Sequence, residues 1–166
     1  SGSNRFAVKD AETLETLYTG AMMDRIVTAM AYNYANGKLY ALAVNDEPGT
    51  NNSLYEVSLP LGTLTEIAPI QAFDADGNPV FLNEFCIDKN GNAYGVNKSY
   101  SEPYLQSIDL TTGVCTIIGG TGMKSYAGFF DSNILPCGYM AFDNENGTIV
   151  HYDGLNGWGN FKPETG

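Results

Sequence analysis

The chain has 166 residues, 43% of them hydrophobic and 16% charged, with 19 glycines, 11 tyrosines and 8 phenylalanines, which suits one domain with a real core and favours a turn-rich β protein. A formal net charge of −11, without any cluster of Lys and Arg, speaks against nucleic acid or an anionic membrane surface as a partner. No apolar window of about 18 residues occurs, so no membrane insertion is expected.

In chain order, Ser1, Gly2 and Ser3 read as a tag remnant, and residues 1–10 as that remnant plus an N-terminal arm. Residues 11–166 read as a single domain. The first predicted strand is 13–18. Thr13, Thr16, Thr19 and Gly20 argue against a helix there. Three segments then share an apolar strand, an Asn-Gly turn and a second strand: Ala29 to Val44, Glu84 to Val96, and Tyr139 to Asp153. Their turn glycines, Gly37, Gly91 and Gly147, follow one another at offsets of 54 and 56, each preceded by an asparagine. Asn-Gly between alternating apolar runs is a strong hairpin signal, because both residues tolerate positive φ.

A second cadence follows the first. Ser53 to Pro69 matches Tyr104 to Gly120, with Gly62 aligned to Gly113 at an offset of 51. Ala11 to Gly20 fits the second strand of this pair alone. The predicted strands are therefore 13–18; 26–33, 38–44, 53–59 and 63–68; 81–88, 92–97, 104–110 and 114–118; 138–143 and 148–153; with a weak further strand around Trp158 to Phe161. With strands of a unit labelled A to D, the order reads D, ABCD, ABCD, AB, with repeat cores at about 26–68, 81–118 and 138–161.

Tandem four-stranded antiparallel units of this length are what β-propeller blades require. The fold class expected is all-β, about three blades, with a β-sandwich as the alternative. The residues that carry a closer likeness are Gly37, Leu39 and Tyr40; Leu54, Tyr55, Val57 and Leu59; Asp88, Gly91 and Tyr94; and Ile108 to Gly113 with Thr116, Ile118 and Gly119. On these the chain resembles bacterial extracytoplasmic β-propeller repeats. The resemblance implies an extracellular or cell-surface location. The third unit departs from it, with Val150 and His151 where the others have Tyr40–Ala41 and Tyr94–Gly95. Since propellers have four to eight blades, three blades imply self-association of two chains or the remainder of a longer propeller. An N-terminal D strand could complete the AB pair at the other end.

Candidate chemistry is sparse. Asp74, Asp76 and Asn78 have the spacing of hard oxygen ligands and make calcium the one cofactor to consider, although Asp and Asn in such turns ordinarily cap their own backbone. Cys86, Cys115 and Cys137 show no zinc spacing and read as small buried hydrophobes. His151 is the only histidine and reads as structural, and Glu84 is the acid nearest an inner strand. Trp158, Tyr126, Phe130 and Tyr139, with Asn156, offer flat apolar faces beside hydrogen-bonding groups, as a glycan or protein contact requires; packing between blades is their ordinary alternative. The function expected is a non-enzymatic surface binding or interaction module. The alternatives are a carbohydrate-active propeller enzyme using paired carboxylates and a structural segment of a larger surface protein.

Overall fold

The computed structural model describes residues 5–44, 52–97, 103–123, 138–153 and 157–166. Every regular element among them is a strand: β1 (Arg5–Lys9), β2 (Thr16–Met22), β3 (Ile26–Asn33), β4 (Lys38–Val44), β5 (Ser53–Val57), β6 (Leu64–Pro69), β7 (Leu82–Ile87), β8 (Ala93–Asn97), β9 (Tyr104–Ile108), β10 (Cys115–Gly120), β11 (Gly138–Asp143), β12 (Thr148–Asp153) and β13 (Gly157–Phe161). They pair antiparallel as a hairpin, β1-β2, and three meanders: unit I, β3-β4-β5-β6; unit II, β7-β8-β9-β10; and unit III, β11-β12-β13. The first strands of the meanders lie side by side, β3 against β7 and β7 against β11. The molecule is all-β and built of successive blades.

Alternation along each strand gives every blade two apolar faces, a trailing one toward the preceding unit and a leading one toward the next. Leu42 and Leu54 of unit I meet Leu82, Phe85 and Ile87 of unit II. Cys86, Val96 and Leu105 of unit II meet Ile149 and Phe161 of unit III, and Tyr94 stacks on Phe142 with ring centroids 5.9 Å apart. The hairpin covers the trailing face of unit I, where Phe6 packs with Ala41, Ala43, Tyr55 and Val57. Each aliphatic or aromatic side chain buried in these seams stabilises the fold by about 1.5–3 kcal/mol.

The turns are stereotyped. Between the first and second strands of each blade, a leading Asp or Asn accepts backbone N–H groups of its own turn: Asn33 from Ala35 at 2.9 Å, Asp88 from Asn90 at 2.9 Å and Asn92 at 2.8 Å, and Asp143 from Glu145 at 3.0 Å. Only the glycine of each Asn-Gly pair takes a positive φ, 72° at Gly37, 92° at Gly91 and 68° at Gly147. These are therefore not two-residue turns with both residues left-handed. The side-chain cap replaces that geometry by organising a longer loop.

Between the third and fourth strands a second turn recurs. The amide of the fifth residue donates to the carbonyl of the first: Gly62 to Ser58 at 2.7 Å and Gly113 to Asp109 at 2.8 Å. The same bond joins Leu14 to Asp10 at 3.0 Å and Gly166 to Lys162 at 2.9 Å. The fifth residue is left-handed each time, with φ of 76°, 71°, 60° and 85° at Gly62, Gly113, Leu14 and Gly166.

The same closure occurs in the first turn of units I and III, Gly37 to Asn33 and Gly147 to Asp143 at 2.8 Å, so it is the seating that types the hairpin. Gly20 of β2 lies against the Leu61 carbonyl as Gly119 of β10 lies against that of Thr165, and the strand order becomes CD, ABCD, ABCD, ABC. β1 is a C-type strand in a stretch where the sequence suggests only an arm, and β13 is a full third strand of unit III. The N-terminal D-type strand, β2, is paired with β1. The sequence does not mark the first turn, because Leu14 stands where its counterparts have glycine.

Candidate interaction face

Superposing the blades through their turns places Tyr152 with Leu42 and Val96, and Trp158 with Leu54 and Leu105. All four counterparts are 0% exposed, sealed under the next blade, whereas Tyr152 is 39% and Trp158 78% exposed. Tyr139, on the same face, is 73% exposed. Tyr139 lies directly opposite Tyr152 across β11–β12, and Tyr152 opposite Trp158 across β12–β13. The three rings thus form one row across the sheet, with the Tyr152 and Trp158 centroids 5.0 Å apart and tilted by 48°. Ala141, Val150 and Asn160 form the adjacent row.

Of the aromatic candidates, the structure brings Tyr139 and Trp158 together. Tyr126, Phe130 and Asn156 lie outside the described residues. Tyr152, absent from the sequence-level candidates, is the link between the other two. Its register to Tyr139 across the Asn146-Gly147 hairpin could have revealed it.

A second feature lies on the inner strands. Thr28, Met30, Glu84, Phe85, Tyr139 and Met140 border a cavity of about 300 Å³. Glu84, 1% exposed, is paired with His151, also 1% exposed, the His151 Nε2 lying 3.0 Å from Glu84 Oε2. The pair joins β7 of unit II to β12 of unit III, and the imidazole rests on Phe161 at 5.4 Å. His151 occupies the position of Ala41 and Gly95 in the other blades, which explains the departure noted in the sequence: the larger side chain is met by a carboxylate in the seam. Glu84 is the only carboxylate lining this cavity among the described residues.

The acidic turn at 74–78 is organised from within. Asp74 Oδ1 accepts the amides of Asp76 at 3.0 Å and Asn78 at 2.8 Å, and Asn78 Nδ2 lies 3.2 Å from Oδ2. These bonds, led by the Asn78 amide, hold the Asp74 carboxyl below its ordinary value. Asp10, Asp109 and Asp143 are lowered by the same kind of local hydrogen bonding. Among the described residues no three His, Cys, Asp or Glu side chains converge as a metal cluster. Cys86 and Cys115 are free thiols; burial pushes the first far up and the second up to about 12. Cys137 lies outside the described residues.

Comparison of the sequence with protein-family models and with curated proteins gives no match. Among solved structures, the chain is similar to hydrazine synthase of Kuenenia stuttgartiensis, at 16% identity over 89% of this chain and 35% of that one, with a TM-score of 0.49. It is similar also to TolB from Acinetobacter baumannii, at 14% identity over 96% of this chain and 38% of that one, with a TM-score of 0.48. The chain spans little more than a third of either protein.

Proposed function

We propose that this chain is a non-enzymatic interaction module that packs the leading face of unit III onto a protein partner, and that the partner is a second copy of the chain. One observation carries the reading: Tyr139, Tyr152 and Trp158 are exposed at positions that units I and II use to bind the next blade. A row of large, rigid aromatics supplies binding area at small entropic cost. Part of a complementary surface lies on unit I, where the hairpin covers β4 and β5 of the trailing face and leaves β3 open. Met30 and Tyr32, on the trailing face of unit I, are 48% and 38% exposed; their counterparts Phe85, Ile87, Met140 and Phe142 pack in the seams. Leading and trailing ends are two halves of one kind of interface, so contact between copies is head-to-tail. The resemblance of the repeats to extracytoplasmic propellers supports display outside the cytoplasm.

Sedimentation over a wide concentration range tests this. The expected result is association above the 17.9 kDa chain mass, reversed by Trp158→Ala and by Tyr152→Ala. Alanine at such a buried aromatic anchor typically costs at least about 2 kcal/mol of binding. A strictly monomeric protein at high concentration overturns self-association. Glycan binding that is lost in Trp158→Ala would reassign the same face to carbohydrate.

A further inference from the structure

The blades differ in what they bury where their second and third strands meet. On the trailing face, Ala41 stands opposite Tyr55 in unit I and Gly95 opposite Gln106 in unit II. In unit III the sizes are exchanged, with His151 opposite Gly159. Tyr55 is buried with Phe6 against the N-terminal hairpin. Gln106 is also buried, and its Nε2 donates to the Phe73 carbonyl at 3.1 Å. Each of these two side chains fills the seam between its own blade and the element before it.

The exchange in unit III does not refill that space. His151 is drawn inward across the seam, its Nε2 3.0 Å from Glu84 on the first strand of unit II. Gly159 supplies no side chain, and no atom of a described residue lies within 4 Å of where its Cβ would stand. At Gly95, by contrast, a Cβ would lie 2.9 Å from Leu82. The backbone of Gly159 is not left-handed either, so neither geometry nor crowding demands glycine there. What remains is a cavity of about 230 Å³ bordered by Thr121, Met123, His151, Gly157, Gly159 and Phe161. About 150 Å³ is enough to hold one benzene ring.

We propose that this cavity in the seam between units II and III is a binding site for a small monocyclic phenol. The ligand class follows from the equivalent place in unit I, which the chain fills with a phenol of its own, Tyr55. In unit II a planar carboxamide, that of Gln106, does the same. The walls agree with a flat ring that carries one polar group. Met123 and Phe161 belong to the apolar cluster of the seam and offer sulfur and ring contacts to an aromatic face. His151 and Thr121 bring an imidazole and a hydroxyl to the same cavity, partners for a phenolic oxygen. The site lies on the trailing side of unit III, away from the row of Tyr139, Tyr152 and Trp158 side chains, and it does not depend on self-association.

The chain's only histidine reports occupancy. The probe is p-cresol, the tyrosine side chain as a free molecule, titrated into the intact protein while the His151 ring signals are followed by NMR. A saturable shift in the millimolar range is expected, and toluene, which lacks the hydroxyl, should bind more weakly. Gly159→Gln restores the side chain of unit II; it is expected to fold with an unchanged or higher denaturant midpoint and to abolish the shift. Should that variant not fold, Gly159→Ala narrows the cavity by one methyl group and should weaken binding. A Tyr139→Ala/Tyr152→Ala variant should keep the shift, since those side chains lie on the other face. No saturable shift up to the solubility limit overturns the proposal, as does an equal shift in the Gly159 variants. Equal binding of toluene overturns the phenol assignment, and loss of the shift in the double variant moves the contact to the aromatic row.

Discussion

Leu14 sits at φ 60° in a turn whose three counterparts all use glycine, and its side chain is 68% exposed. The left-handed conformation costs a non-glycine residue roughly 1–2 kcal/mol, and packing returns little at such an exposure. Leu14→Gly is therefore expected to stabilise the protein on the order of 0.5–1 kcal/mol, after allowing for the larger entropy of glycine in the unfolded chain. Chemical denaturation checks it; an unchanged or lower midpoint would mean that Leu14 makes contacts in compensation. At this scale sequence reading is strong where one residue does its own chemistry, as Asp88 and Asp143 do in capping their turns. It weakens where a residue breaks the local rule, because Leu14 carries no sign of the geometry imposed on it.

Strands show the same division. β3, β4, β11 and β12 are legible to the residue, since alternating apolar runs flank an Asn-Gly signal. β1 is not, because Arg5–Lys9 is short and its turn lacks glycine. β13, Gly157–Phe161, has two glycines among five residues, poor strand formers that are held by pairing to β12 rather than by propensity. Its attachment depends as well on the close approach at Gly119. Gly119→Ala is expected to destabilise the protein by about 1–3 kcal/mol, as overpacking against backbone does, and to loosen β13 in particular. Hydrogen exchange at the β13 amides would register that local effect; uniform loss of protection throughout the sheets would argue that the seam between units II and III opens as a whole.

Across the whole molecule, Glu84 and His151 form a carboxyl–imidazole pair buried between units II and III. Removing one partner of a buried pair typically costs about 3–5 kcal/mol, whereas replacing both by apolar groups is close to neutral. Glu84→Leu and His151→Leu should each be strongly destabilising, and the double variant should recover most of the loss. Denaturant midpoints across the four proteins measure the coupling. Additive losses would show that the two side chains act independently, and that the seam is held by Phe161 and its apolar neighbours instead.

Composition, turn residues and a repeat of about fifty residues were enough to determine an all-β chain of tandem blades, because hairpin chemistry is local and alternation is written along each strand. Which face of a blade is sealed and which acid meets the only histidine were decided by tertiary structure alone. Those relations join residues separated by whole units of sequence. Trp158 shows the distinction: as a letter it is an aromatic near the end of the chain. Only the superposition of blades makes it the exposed counterpart of two fully buried leucines.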